Sequence, residues 1–80
     1  MRNISYNPLF KLLIDKGMKK SELANQIGLS SSTLAKLSHH DYISMDVLVR
    51  ICRGLDCQLS DIVEILPSNQ RAAEKQEEYR

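Results

Sequence analysis

Four side chains of metal-binding type lie in the middle of the chain: His39, His40, Cys52 and Cys57. Imidazole nitrogen and thiolate sulfur are common zinc ligands. The spacing argues against a zinc site, because adjacent histidines diverge and the sequence holds no C-x2-C or H-x3-H pair. We therefore interpret both cysteines as core residues with free thiols and both histidines as loop residues, and we expect no metal or other cofactor.

Catalysis is also disfavoured. A nucleophile needs a base and an oxyanion site within a cleft, and a chain of 80 residues without a glycine-rich loop has little room for one. We expect neither an enzyme nor a small-molecule ligand. The chain opens without a signal segment, and its apolar runs, such as 12–14, are too short to cross a bilayer. Together with the free thiols, these features predict a cytoplasmic protein without a membrane segment.

The net charge of +1 conceals an uneven distribution. Residues 1–40 hold six basic and two acidic side chains, a balance of +4, whereas residues 41–66 hold two basic and five acidic ones, a balance of −3. Such asymmetry is consistent with one positive face that meets a polyanion. The alternative is a set of scattered solvating charges, which the composition alone does not exclude.

Helix punctuation recurs along the chain and predicts one compact all-α domain of five helices over residues 1–66. The predicted spans are 8–16, capped by Asn7, then 20–27, 30–38, 45–54 and about 58–66, with Pro67 ending the last. Residues 67–80 are polar and are predicted to form a disordered tail or a frayed helix. Residues 4–6 alternate like a short strand, a candidate for pairing with a symmetry mate.

The segment 20–37 reads as two short helices joined by a tight turn. Gly28 suits a left-handed turn residue, and Ala24 is small where the helices cross. A helix hairpin that only folds would need the same inward residues. The outward side differs, because Ser31, Ser32 and Lys36 are short or basic and let the helix enter a groove about 12 Å wide.

These residues carry a resemblance to a known family. The chain resembles the Cro/C1-type, lambda-repressor-like helix-turn-helix regulators over about residues 8–66 through Met18, Glu22-Leu23-Ala24, Ile27-Gly28-Leu29-Ser30, Ser32-Thr33-Leu34, Leu37, Leu48, Ile51, Leu55 and Ile62. The resemblance implies five helices and sequence-specific binding of double-stranded operator DNA, with 30–38 in the major groove. The chain departs from the family pattern at Lys19, at Ser38 and at His39-His40, where Asn-Gly is common.

Residue roles follow from the resemblance and from side-chain chemistry. Lys20 corresponds to a phosphate-contacting position, and Ser31, Ser32 and Lys36 to base-reading positions. Lys36 can reach guanine O6 and N7, which makes it the expected specificity residue, unless it is simply a solvated lysine. The histidines could add phosphate contacts below about pH 6.5. The full predicted DNA-binding set is Lys19, Lys20, Ser30, Ser31, Ser32, Thr33, Lys36, His39 and His40.

Two questions stay open at this level. The same helices could serve a protein-interaction module, such as an antitoxin-like or co-regulator domain, instead of a transcriptional regulator. A homodimer is expected because helix-turn-helix proteins commonly read two half-sites. Its surface could be formed by Ile4 and Tyr6, or by the exposed part of Ile62 to Leu66.

Overall fold

Residues 3–67 fold into a bundle of four α-helices completed by a small two-stranded sheet. The structure, a computed structural model, describes residues 3–67, so residues 68–80 of the predicted tail lie outside it. In chain order the elements are β1 (Ile4–Ser5), α1 (Asn7–Asp15), α2 (Lys20–Ile27), α3 (Ser31–Ser38), α4 (Met45–Leu55), a 3-10 turn (Leu59–Asp61) and β2 (Glu64–Ile65). None of these helices is long and apolar enough to span a membrane.

The first four helices confirm the predicted spans to within one residue at either end. One predicted cap was wrong: Asn7 is already helical, and its backbone N–H donates to Ser5 Oγ at 3.1 Å. Gly17 ends α1 as expected, because its φ of +66° is a left-handed conformation that glycine adopts without a steric cost. The hydroxyl that accepts the first N–H of α1 therefore belongs to Ser5 of β1 and not to Asn7.

The predicted fifth helix is wrong. Only the single 3-10 turn forms there, opened by Asp61 Oδ2 accepting from the Gln58 N–H at 2.9 Å, and the chain then becomes extended as β2. β2 pairs antiparallel with β1, placing Ile4 opposite Ile65, and Leu66 N donates to Asn3 O at 2.7 Å. β-branched residues and the following proline both disfavour continued helix here. The short strand at Ile4 thus pairs within its own chain.

The core lies where the sheet and all four helices meet. Its buried side chains are Tyr6, Leu9, Leu13, Leu23, Leu37, Leu48, Ile51, Leu55 and Ile62. α4 contributes three of them, whereas α3 fully buries only Leu37. Burying an aliphatic side chain stabilises a fold by roughly 1.5–3 kcal/mol. The third helix is therefore attached through one side and leaves the rest of its surface in solvent.

Candidate nucleic-acid interface

The turn between α2 and α3 has the geometry that a helix-turn-helix needs. α2 ends at Gly28, whose φ is +75°, and the next N–H, of Leu29, donates to Ala24 O at 2.9 Å. Ser30 then caps α3 by accepting the Thr33 N–H on its hydroxyl oxygen at 3.2 Å. The left-handed glycine lets the chain reverse within three residues. α2 and α3 are thereby packed as a pair around Leu23 and Leu37.

The outward face of α3 is polar and slim. Ser31, Ser32, Ala35 and Lys36 are all exposed, while Leu34 is half-buried and Leu37 is in the core. No side chain of this face is larger than a lysine, and the lysine is flexible. A helix with such a surface fits the width of a DNA major groove without steric obstruction.

The hydroxyls at the start of α3 form a connected group. Ser30 Oγ lies 3.0 Å from Ser32 Oγ and donates to Thr33 Oγ1 at 3.0 Å. Ser30 and Thr33 therefore serve the helix cap, and Ser32 is hydrogen-bonded to that cap. Ser31 makes no such bond among the residues that the structure describes. Of the four hydroxyls, those of Ser31 and Ser32 are best placed to meet an outside ligand.

The start of α2 carries two exposed lysines with different surroundings. The backbone N–H of Lys19 donates to Glu22 Oε1 at 2.7 Å, so the Glu22 carboxylate satisfies the N–H of the residue that precedes the helix. Lys20 Nζ lies 4.1 Å from the centroid of the Phe10 ring, a cation–π contact. The Phe10 ring thus restrains the position of the Lys20 ammonium group on the surface.

The two histidines have different environments. His39 is exposed, whereas His40 is half-buried and adopts a φ of +57° at the position where the family commonly has glycine. Its Nδ1 accepts the Tyr6 N–H at 3.0 Å, and its ring stacks on Tyr6 with centroids 6.0 Å apart. The Nδ1 bond therefore joins the loop after α3 to the residue that precedes α1.

The buried polar group nearest this loop is the Tyr6 hydroxyl, which donates to Asp41 O at 2.6 Å. Burial raises the pKa of Tyr6 above its ordinary value of 10.0, and the negative charge of Asp41 acts in the same direction. Tyr6 therefore ties the loop between α3 and α4 to the start of α1. The alternation of residues 4–6 predicts a strand residue at a partner surface, whereas the buried Tyr6 side chain contacts its own chain.

No metal centre forms among residues 3–67, in which no three His, Cys, Asp or Glu side chains converge as ligands would. Both cysteines are free and half-buried, in agreement with their interpretation as packed thiols. Burial, with a smaller effect of the neighbouring Cys52 thiol, raises the pKa of Cys57 from 9.0 to about 11. The thiol of Cys57 is thus held in its neutral form.

Comparison with known proteins agrees with this geometry. The profile of the Cro/C1-type HTH DNA-binding domain matches residues 9–68, which is three quarters of the chain. The chain belongs to this family. A crystal structure of the transcriptional regulator VanUg is similar, with a TM-score of 0.80 and 50% identity over 82% of this chain and 88% of that one. A search of curated proteins found no match.

The sequence-based interpretation missed two features of this Cro/C1-type domain. Phe10 was not among the predicted inward residues of α1, although it lies one helical turn after Tyr6. Arg50 of α4 reaches the turn between α2 and α3, and Nη2 donates to Ile27 O at 2.6 Å. Nothing in the local pattern around Arg50 indicates a contact 23 residues away, so only the fold reveals it.

Proposed function

We propose that this chain is a transcriptional regulator that binds double-stranded DNA sequence-specifically with α3 in the major groove. The supporting observation is the exposed face of Ser31, Ser32, Ala35 and Lys36 on a helix of the matched family domain. In this arrangement Lys36 selects the base pair, since a bidentate contact to guanine contributes about 1–3 kcal/mol of discrimination. Ser31 and Ser32 add contacts to bases or phosphates at the positive end of the helix.

Phosphate contacts come from the start of α2 and from the flanks of α3. Lys20 is the principal candidate, because its ammonium group is exposed and is restrained by the Phe10 ring. Lys19 and His39 are exposed and complete this set. Ser30 and Thr33 act as the cap of α3, and His40 positions the following loop. The proposed roles thus separate direct contacts from supporting ones.

Selection of bound duplexes from a random pool tests this proposal directly. A recovered motif that Lys36→Ala blurs at one base pair would support it. A companion titration measures affinity against salt, where each phosphate contact contributes a slope of about −0.9 in a plot of log affinity against log salt. Binding without sequence preference, or without salt dependence, would contradict the proposal.

The second candidate, a protein-interaction module, is supported by a different surface. Met45, Val49 and Leu59 are large apolar residues with 61%, 41% and 39% of their surface exposed. They line a shallow pocket of about 320 Å³ together with both cysteines. An exposed apolar group of this kind favours contact with another protein. If duplex DNA fails to bind at low salt, this becomes the preferred function.

We also propose a homodimer that uses the exposed apolar residues at the end of the described chain. Tyr6 and Ile62 are 1% and 0% exposed and are therefore unavailable to a partner. Ile65 is 84% exposed and Leu66 is 39% exposed, so the outer side of β2 retains apolar surface. Light scattering after size-exclusion chromatography should show a dimer in the wild type and a monomer in Ile65→Lys. An unchanged dimer in that variant would move the interface elsewhere.

A further inference from the structure

One side chain of α4 joins the turn at the centre of the helix-turn-helix. Arg50 Nη2 donates to Ile27 O at 2.6 Å and to Gly28 O at 3.0 Å. These two carbonyls stand at the carboxyl end of α2, where the last carbonyl groups of a helix lack partners and carry partial negative charge. A guanidinium group satisfies both and compensates their charge. The contact links the middle of α4 to the residues that separate α2 from α3.

The end of α2 approaches α4 closely around this contact. Gly28 has a φ of +75°, and a Cβ built there would lie 3.3 Å from the same Nη2 atom. One helical turn along α4, a Cβ on Gly54 would lie only 2.5 Å from Ile27 Cγ2. Gln26 Nε2 also donates to Gly54 O at 3.4 Å. The end of α2 is thus packed directly against α4 over one helical turn.

We infer that Arg50 is a positioning residue for DNA recognition, which fixes the angle of α3 by holding the preceding turn on α4. The inference rests on the proposed function. Lys36 lies six residues beyond the Ser30 cap, about 9 Å along the helix at about 1.5 Å per residue. A tilt of about 10° at the turn would therefore move it by about 1.5 Å, enough to break a hydrogen bond to a base edge. Nonspecific phosphate attraction tolerates such a shift far better.

The test compares two substitutions at Arg50 with a matched control. Arg50→Met keeps the aliphatic stem and removes every donor, whereas Arg50→Lys keeps a single cationic donor. Arg53→Met removes the same charge from an exposed position of α4 that lines the Met45 pocket, and within residues 3–67 the arginine that donates to the turn is Arg50 and not Arg53. Affinity is measured for the best duplex selected by the wild type and for an unrelated duplex of equal length, at one salt concentration, with the folded fraction recorded by circular dichroism.

For Arg50→Met we expect affinity for the selected duplex to fall about tenfold, the equivalent of one charge-assisted hydrogen bond, with at most a twofold change for the unrelated duplex. Arg50→Lys should recover part of the loss, and Arg53→Met should behave as wild type. Equal losses on both duplexes with a smaller salt slope would make Arg50 a phosphate contact. A loss explained by the unfolded fraction would make it only a stabilising residue. Either result overturns the inference.

A second measurement does not depend on DNA. The Leu29 N–H is hydrogen-bonded to Ala24 O within the turn, so its hydrogen exchange reports opening of that turn. Arg50→Lys, the milder change, should accelerate exchange at Leu29 while the Ile51 amide in the core keeps its wild-type rate. Parallel acceleration at both sites, or none at Leu29, would contradict the inference. If wild type selects no duplex, the proposed function fails, and this measurement still decides whether Arg50 holds the turn.

Discussion

The third and fourth helices begin in the same way and present different surfaces. Each starts at a serine whose hydroxyl accepts the N–H of the third helical residue at 3.2 Å, from Ser30 to Thr33 in α3 and from Ser44 to Val47 in α4. The outward side of α3 then carries short polar side chains and one lysine. The outward side of α4 instead carries the apolar residues Met45 and Val49, which are 61% and 41% exposed. Equivalent local starts therefore say nothing about what each helix contacts.

The difference lies in how each helix is attached to the core. α4 buries Leu48, Ile51 and Leu55, and further contacts hold it against α2, so it serves as the support of the domain. α3 fully buries Leu37 alone. A helix held by one side leaves its other side exposed, and the polar composition of that side fits the proposed contact with DNA. The apolar side of α4 suits a protein surface instead.

The largest expected effect on DNA affinity comes from placing a carboxylate on the exposed face of α3, and a carboxylate on α4 serves as the control. Ser32→Glu should lower affinity for DNA by on the order of hundredfold or more, because like charges meet in the groove. The same change suits the start of a helix, so the folded state should be stabilised by about 0.3–1 kcal/mol. Val49→Glu, the control on α4, should leave DNA affinity within about twofold. Fluorescence anisotropy measures the DNA affinity of each variant, and thermal unfolding measures its stability. Equal losses in the two variants would remove the distinction between the surfaces.

Lys36→Ala sharpens the assignment within α3. Discrimination between the preferred base pair and its alternatives should fall by about 1–3 kcal/mol, roughly 5-fold to 150-fold, while overall stability stays unchanged. Binding to a panel of single-substitution duplexes measures this. A uniform loss across the panel, with the salt slope reduced by about 0.9, would instead identify Lys36 as a phosphate contact.

The same contrast explains what could be predicted from sequence. The spans of α1 to α4 and the exposure of Ser31, Ser32 and Lys36 followed from local patterns, because caps, glycines and apolar spacing act within a few residues. The stretch 58–66 was misread because Ile62, Val63 and Ile65 fit a strand as well as a helix at this length. Its conformation depends on pairing with Ile4, which no local pattern specifies.

The supporting contacts of the site were equally hidden. Arg50 meets a turn 22 residues earlier in the chain, and Tyr6 donates to a carbonyl 35 residues later. His40 looked like a surface residue available to phosphate, yet its Nδ1 accepts a backbone N–H. Such contacts follow from the tertiary arrangement of helices. Sequence therefore indicated which side chains of α3 are exposed and not which residues hold that helix in place.

The two serine caps provide a matched pair with a smaller effect. Ser30→Ala and Ser44→Ala should each destabilise the fold by about 1 kcal/mol, because each leaves one helical N–H without its acceptor. Only Ser30→Ala should also weaken DNA binding, since it removes the partner of Ser32 Oγ and Thr33 Oγ1. Denaturant unfolding and anisotropy titrations separate the two effects. If Ser44→Ala weakens DNA binding as strongly, the hydroxyl group at the start of α3 has no special role.

The smallest expected effect on DNA binding concerns the pocket beside α4. The raised pKa of Cys57, about 11 against the ordinary 9.0, leaves it about a hundredfold less thiolate than an ordinary cysteine at pH 8. The greater nucleophilicity of a more basic thiolate offsets part of this, so alkylation by iodoacetamide should be about tenfold slower than for an ordinary cysteine. Because the thiolate is the reactive form, the alkylation rate should rise about tenfold per pH unit and level off only near pH 11.

Mass spectrometry of tryptic peptides from the wild-type protein follows Cys57 separately from Cys52, because Arg53 lies between the two cysteines. Because Cys57 lines the pocket with Met45 and Val49 and not the exposed side of α3, the alkylated protein should bind DNA with affinity within about twofold of the untreated protein. A rate that levels off near pH 9 would show that burial does not protect the thiol. A large loss of DNA affinity on alkylation would show that the pocket and the DNA-facing helix are energetically coupled, and the two surfaces could then no longer be treated as independent.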